Sequence, residues 1–103
     1  MHKLLKIYVG ENVRWQGQPL YRALVLKLKA AGLAGATVLR GVEGYGRQKV
    51  VHTTRLLELS ADLPMIVECV DEADKIEAVL PEICQMVNRG LVLTANVDII
   101  KRG

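Results

Sequence analysis

The residues with the most chemical potential fall in one stretch, GVEGYGRQK at 41–49. Gly44 and Gly46 bracket Tyr45, and Arg47, Lys49 and Arg55 follow within a few residues. Glycines let backbone N–H groups approach a phosphate closely, and an arginine adds a planar fork of charge-assisted donors. The pattern suits an anion held at Gly44–Arg47. It also suits a glycine-containing exit from a strand into a solvated loop. Composition alone favours the loop, because such glycine patterns are common and no clear helix follows this one.

Other chemistries have less to work with. A metal site needs several His, Cys or carboxylate ligands brought together, and the histidines are His2, at the terminus, and His52, in a long connection that reads as solvated. Cys69 and Cys84 form no CxxC pair, and neither sits at a helix N-terminus, where a thiolate is stabilised. Both read as reduced core thiols of a cytoplasmic protein. Most carboxylates cluster at 68–82, where the start of a helix accounts for several. No catalytic constellation stands out, so an enzyme is not expected. An RNA-binding domain of the topology derived below would stack bases on aromatics of its first and third strands. Tyr8 is available on the first, but MIVECV at 65–70 has none.

Positioning these residues falls to a single domain, 1–103. Half the residues are apolar and 24% are charged, which fits a globular core and excludes a disordered chain. The net charge of +3 is mild, with no like-charge run that would read as a nucleic-acid tail. No stretch approaches the ~20 apolar residues of a membrane span, and the apolar start is too short for a signal peptide. A cytoplasmic protein without membrane insertion is expected.

Residues 3–9 alternate as a strand, with Leu5, Ile7 and Val9 on one face and Leu4, Lys6 and Tyr8 on the other. Pro19 suits the first turn of a helix that runs to about Ala31, with Leu20, Leu24, Leu28 and Ala31 as its stripe and Gly32 as its stop. A second strand at 36–42 leads into the long connection 43–60, and a third follows at 65–70. Asp71 is placed to cap a second helix, with Asp74 in its first turn. Ile76, Val79, Leu80, Ile83 and Val87 keep a helical period that Pro81 should kink or split at Leu80. The last strand, 91–100, alternates Leu91, Leu93, Ala95, Val97 and Ile99 against Val92, Thr94, Asn96, Asp98 and Ile100.

The order βαββαβ predicts an α+β, ferredoxin-like fold: a four-stranded antiparallel sheet with both helices on one face. The other face is expected to carry Lys6, Tyr8, Arg40, Glu68, Thr94, Asn96 and Asp98 among apolar neighbours, with Arg40 and Glu68 close together. A mixed face of that kind points to packing against other copies of the chain. Residues 47–57 are expected to be mobile until an anion at Arg47 offsets the repulsion among their cationic side chains.

The stretch GATVLRGVEGYGRQK at 35–49 resembles the GMTV…GFGRQK segment of the PII signal-transduction proteins, and the element order matches theirs. More closely, the whole chain is similar to the PII-like group catalogued as the domain-of-unknown-function 190 family. The features are KIYVGE at 6–11, PLY at 19–21, GLAGATVLRG at 32–41, GYG at 44–46 and LPMIVECVD at 63–71. The resemblance implies a homotrimer whose inter-subunit clefts bind a nucleotide of the adenylate class. It further implies that the 43–60 connection changes shape and regulates a partner, such as a membrane transporter or an enzyme. Carried over by position, Thr37 lies near the base, and Gly44, Tyr45, Gly46, Arg47 and Gln48 line the phosphate side. Arg89 and Gly90 come from the loop before the last strand, and Lys101 and Arg102 reach phosphates from the chain end.

The chain departs from the PII pattern in three places. One extra residue lies between Thr37 and Gly44, where a bulge would take it up. NRGL at 88–91 lacks the lysine that PII proteins place on the phosphates, with Arg89 as the candidate substitute, and the 43–60 connection is shorter, with no tyrosine after Tyr45. A trimeric scaffold without nucleotide binding is the alternative reading. An acylphosphatase-type hydrolase using Arg14 is a further one.

Overall fold

A computed structural model describes residues 1–45, 52–53 and 62–103. In chain order the elements are β1 (His2–Gly10), β2 (Arg14–Trp15), β3 (Gln18–Pro19), α1 (Leu20–Ala30), β4 (Thr37–Arg40), β5 (Glu43–Gly44), β6 (His52–Thr53), β7 (Pro64–Glu72), α2 (Ala73–Met86) and β8 (Leu91–Val97). The main sheet is antiparallel in the order β4-β7-β1-β8. With both helices packed on one of its faces, this is the expected ferredoxin-like arrangement.

Alternation along β1 and β7 builds the core. Leu5, Ile7 and Val9 point to the helices beside Met65, Val67 and Cys69, where Leu20, Ala23, Leu24 and Leu28 of α1 and Ile76, Val79, Ile83 and Met86 of α2 cover them. Ala31 stands exposed just past α1, so the buried stripe ends at Leu28 and gains Ala23 instead. The stop is as expected: Gly32 takes φ +86°, its N–H donates to Lys29 O at 3.1 Å, and Leu33 N–H donates to Leu28 O at 3.2 Å. That is the paired-bond helix end which glycine allows at little cost.

Several local expectations yield to longer-range contacts. Pro19 lies outside the first turn of α1; it is extended (ψ 134°) and pairs with Arg14 in a small hairpin. Asp71 does not cap α2 but belongs to β7, with its side chain buried. The helix begins at Ala73, whose N–H donates to Met1 O at 3.0 Å, so a backbone carbonyl takes the cap's role. Asp74 does sit in the first turn. Pro81 neither ends nor splits α2, which continues to Met86. The proline ring faces solvent there, so the Glu77 carbonyl deprived of its donor lies on the wet side. Cys69 is buried, whereas Cys84 is exposed and so is not a core thiol.

The open face differs most from expectation. The alternation read in β8 is right, but its pairing with β1 sets Leu91, Leu93, Ala95 and Val97 opposite Tyr8, Lys6, Leu4 and His2, on the open side. Thr94 and Asn96 turn the other way. Asp98 follows the strand, which ends at Val97. Pairing of Thr37 with Glu68 likewise sends Val38 and Arg40 to the helix side, where Arg40 forms an ion pair with Glu11. Arg40 and Glu68 are therefore not neighbours, and Glu68 pairs with Lys6 at 3.4 Å. The result is a more apolar face than predicted, with Leu39, Val70 and Leu91 all exposed.

Candidate functional site

The segment after α1 runs alongside β7, and residues 99–102 approach the open face over Leu4, Glu68 and Val70. Between them lies an open pocket of about 600 Å³. Ala34, Gly35, Ala36 and Thr37 form one side, Leu4 and residues 68–70 the floor, and Ile99, Lys101 and Arg102 the remaining wall. Leu4 and Val70 give the base an aliphatic part beside the Glu68 carboxylate, while Lys101 and Arg102 bring positive charge. That composition suits a ligand with a flat apolar part and an anionic part.

Neighbouring groups fix the charges. The Ala34 and Glu72 N–H groups donate to Asp71 at 2.9 and 2.7 Å, and these bonds hold its carboxyl below the usual carboxylate range, with Lys75 and Arg102 adding to the effect. Burial, and then the Asp71 charge, push the Cys69 thiol up, which makes it a poor nucleophile. Contact with the Tyr8 side chain, and then with Glu68, keeps the Lys6 ammonium above its ordinary value. Lys6 Nζ lies 5.6 Å from the Tyr8 ring centre.

Of the residues singled out from the sequence, Thr37, Lys101 and Arg102 meet in this pocket. Gly44 and Gly90 belong to the other end of the sheet. Gly44 packs near Pro64, which pairs with Gly10 at the end of β1, and Gly90 lies so close to the Tyr8 carbonyl that no side chain fits. From Pro64 to Val70, β7 rises about 20 Å at ~3.3 Å per residue. Tyr45 and Arg89 are exposed. Gly46, Arg47 and Gln48 lie outside the described residues, as does the 47–57 segment apart from the backbone pairing of His52 and Thr53 with Gly44 and Glu43. Between Thr37 and Gly44, β4 ends at Arg40, Gly41 N–H donates to Pro64 O at 2.7 Å, and β5 pairs with β6 instead of β7.

Sequence reading missed Glu68, Val70 and the 34–36 backbone as pocket walls, and Asp71 as their support. No spacing signals them, since the pocket exists only once the chain end reaches the sheet. Arg14 is engaged within its own hairpin, donating to Gly17 O at 2.8 Å. Among the described residues no cluster of three or more His, Cys, Asp or Glu could hold a metal, and no helix is long and apolar enough to cross a membrane.

Residues 2–99 match the DUF190 family, whose description reads "Uncharacterized ACR". The chain belongs to the DUF190 family. A UPF0166 protein of Aquifex aeolicus is 40% identical over 98 residues, covering 95% of this chain and 92% of its own. A UPF0166 protein of Methanocaldococcus jannaschii is 37% identical over 100 residues, covering 96% and 92%. Among solved structures, the DUF190 chain is similar to CPII of Thiomonas intermedia K12, a nitrogen regulatory PII-like protein bound to ADP, AMP and bicarbonate. The TM-score is 0.67 at 14% identity, over 97% of this chain and 89% of that one. CPII bound to ADP and bicarbonate gives a TM-score of 0.64 at 17% identity and the same coverage. The fold is thus PII-like, as the resemblance implied.

Proposed function

We propose that this DUF190 protein is a PII-like ligand sensor that binds an adenine nucleotide in clefts between three copies of the chain. The observation that carries the reading is the pocket beside β7, where Thr37, Lys101 and Arg102 converge over a floor that includes the aliphatic Leu4 and Val70. An adenine ring suits the floor, and a phosphate suits the two cations. The glycine end of the sheet, about 20 Å away along β7, lies too far off to share one phosphate group with this pocket. A neighbouring copy would bring its glycine end, with Gly44, Tyr45, Gly46, Arg47, Gln48, Arg89 and Gly90, to complete the cleft. CPII, which shares the fold, was solved with ADP and AMP, which supports the same ligand class here.

The apolar open face supports the assembly. Leu39, Val70 and Leu91 are exposed on it, and a closed trimer would cover them. Nucleotide occupancy would then reshape the 43–60 connection and regulate a partner protein, a membrane transporter or an enzyme, in the cytoplasm. In this reading the nucleotide acts as a signal and not as a resident cofactor, and Arg14 serves its own hairpin by donating to Gly17 O. The same apolar face equally serves a trimeric scaffold that binds no nucleotide.

Calorimetric titration with AMP and ADP decides between these two. The wild-type chain should bind, and Lys101→Ala with Arg102→Ala should weaken binding by at least tenfold, since a hydrogen bond to a charged group contributes about 1.5–3 kcal/mol. Light scattering should report the same trimer in both proteins. No binding of either nucleotide by the wild-type trimer leaves the scaffold.

A further inference from the structure

Asp71 is a buried carboxylate in a place where the core asks for none. It is 6% exposed, and it follows Met65, Val67 and Cys69 on the helix side of β7. Burying a carboxylate costs free energy unless hydrogen bonds replace its water, and an aliphatic side chain in such a site is often neutral or stabilising. Stability alone therefore does not account for it. Its bonds do. One oxygen accepts the Glu72 N–H at 2.7 Å, which fixes the carboxylate, and the other accepts the Ala34 N–H at 2.9 Å, across 37 residues of sequence.

Ala34 begins the wall of the pocket. The segment from Ala34 to Ala36 has neither helix nor strand structure, lying between the end of α1 and the start of β4 at Thr37. Just before it, Leu33 N–H is held by Leu28 O. Asp71 thus supplies the attachment at the point where the chain leaves α1 and becomes pocket wall. Arg102, on the opposite wall, acts electrostatically on the same carboxylate.

We propose that Asp71 is a positioning residue of the ligand pocket, its carboxylate holding the 34–36 backbone where a bound adenylate meets it. The inference rests on the adenylate reading of the pocket, and the experiment separates the two.

Asp71→Asn keeps the shape and one acceptor oxygen but turns an N–H₂ toward a backbone donor. Val79→Ala, in the core of α2 and away from the pocket, serves as a control that lowers stability. Asp71→Asn should weaken AMP and ADP binding by up to about tenfold, because the ligand must then order a wall that the Ala34 bond no longer holds. It should also speed amide exchange at residues 34–37 relative to the rest of the protein. Val79→Ala should lower the melting temperature and leave affinity and the 34–37 exchange pattern as in wild type. An affinity loss that merely tracks the melting temperature across both variants overturns the proposal. If the wild-type protein binds neither nucleotide, the ligand reading fails, and exchange alone decides the anchoring: a local rise at 34–37 upholds it and unchanged exchange overturns it. Should Asp71→Asn not fold, Asp71→Ser takes its place, and failure of both to fold makes the carboxylate a folding requirement and overturns the positioning role.

Discussion

The two faces of the sheet are made from the same strands and much the same aliphatic residues, yet they differ in what covers them. On one, Leu5, Ile7 and Val67 are fully buried under helices of the same chain. On the other, Leu39 and Leu91 keep 45% and 54% of their surface exposed. Burial of apolar area contributes roughly 25 cal/mol per Å², so the second face holds stabilisation that a lone chain does not realise. One face makes the fold, and the other is available to make an assembly.

Three measurements can break that contrast, taken in order of their effect on the stability of the subunit itself. Ile76→Ala, on the covered face, should cost about 2–5 kcal/mol in urea unfolding, since the cavity it leaves cannot fill with water. A loss below about 1 kcal/mol would mean the helix face is loosely packed.

Among the described residues, Asp71 is the buried polar exception on that face. Its folded carboxyl lies below its unfolded value of about 3.9, so the folded state binds fewer protons. Its contribution is present above that unfolded value and is lost as pH falls from there through the folded one. Unfolding curves taken from about pH 6 down to about pH 3 should show a steeper loss for wild type than for Asp71→Asn, with the difference confined to the acid end. Cys69, Lys75, Glu72 and Arg102 remain in both proteins, so the difference isolates this carboxyl. Parallel curves would mean that the Ala34 bond does not favour the charged form.

The smallest effect on the subunit belongs to the open face. Leu39→Glu should change the stability of dilute subunits by no more than about 0.5 kcal/mol, as exposed substitutions do. Light scattering should nonetheless find the trimer lost. A trimer undiminished by that charge would place the assembly contact elsewhere.

What could be read in the sequence was local. The alternation of 3–9, the period of α2 as far as Ile83 and the Gly32 stop each depend on residues within a turn or two, and each is present, whereas Val87 falls past the end of α2 and Met86 is buried instead. The side taken by β8 was not local. It depends on which β1 residue opposes Leu93, and one step of register moves every side chain to the other face. Arg40 was misplaced for the same reason. Asp71 looked like a cap because Asp before a helix often is one, but the Met1 carbonyl supplied the cap and Ala34 claimed the carboxylate. Three of the pocket residues were legible only through family resemblance: nothing in their spacing joins Thr37 to Lys101 and Arg102, which the fold brings to one pocket.

The sheet order also sets a timetable for synthesis. β1 is made before the other strands of its sheet, yet it is a central strand whose partners are β7 and β8, so its neighbours span residues 64–97. At about 5–20 residues per second, β1 waits several seconds on the ribosome before either edge can be paired. During that interval its Leu5, Ile7 and Val9 stand beside unpaired backbone, the combination that recruits other nascent strands. Lys3 and Lys6 within the same strand set like charges against stacking on an identical neighbour, a safeguard that matters before the fold exists and not after.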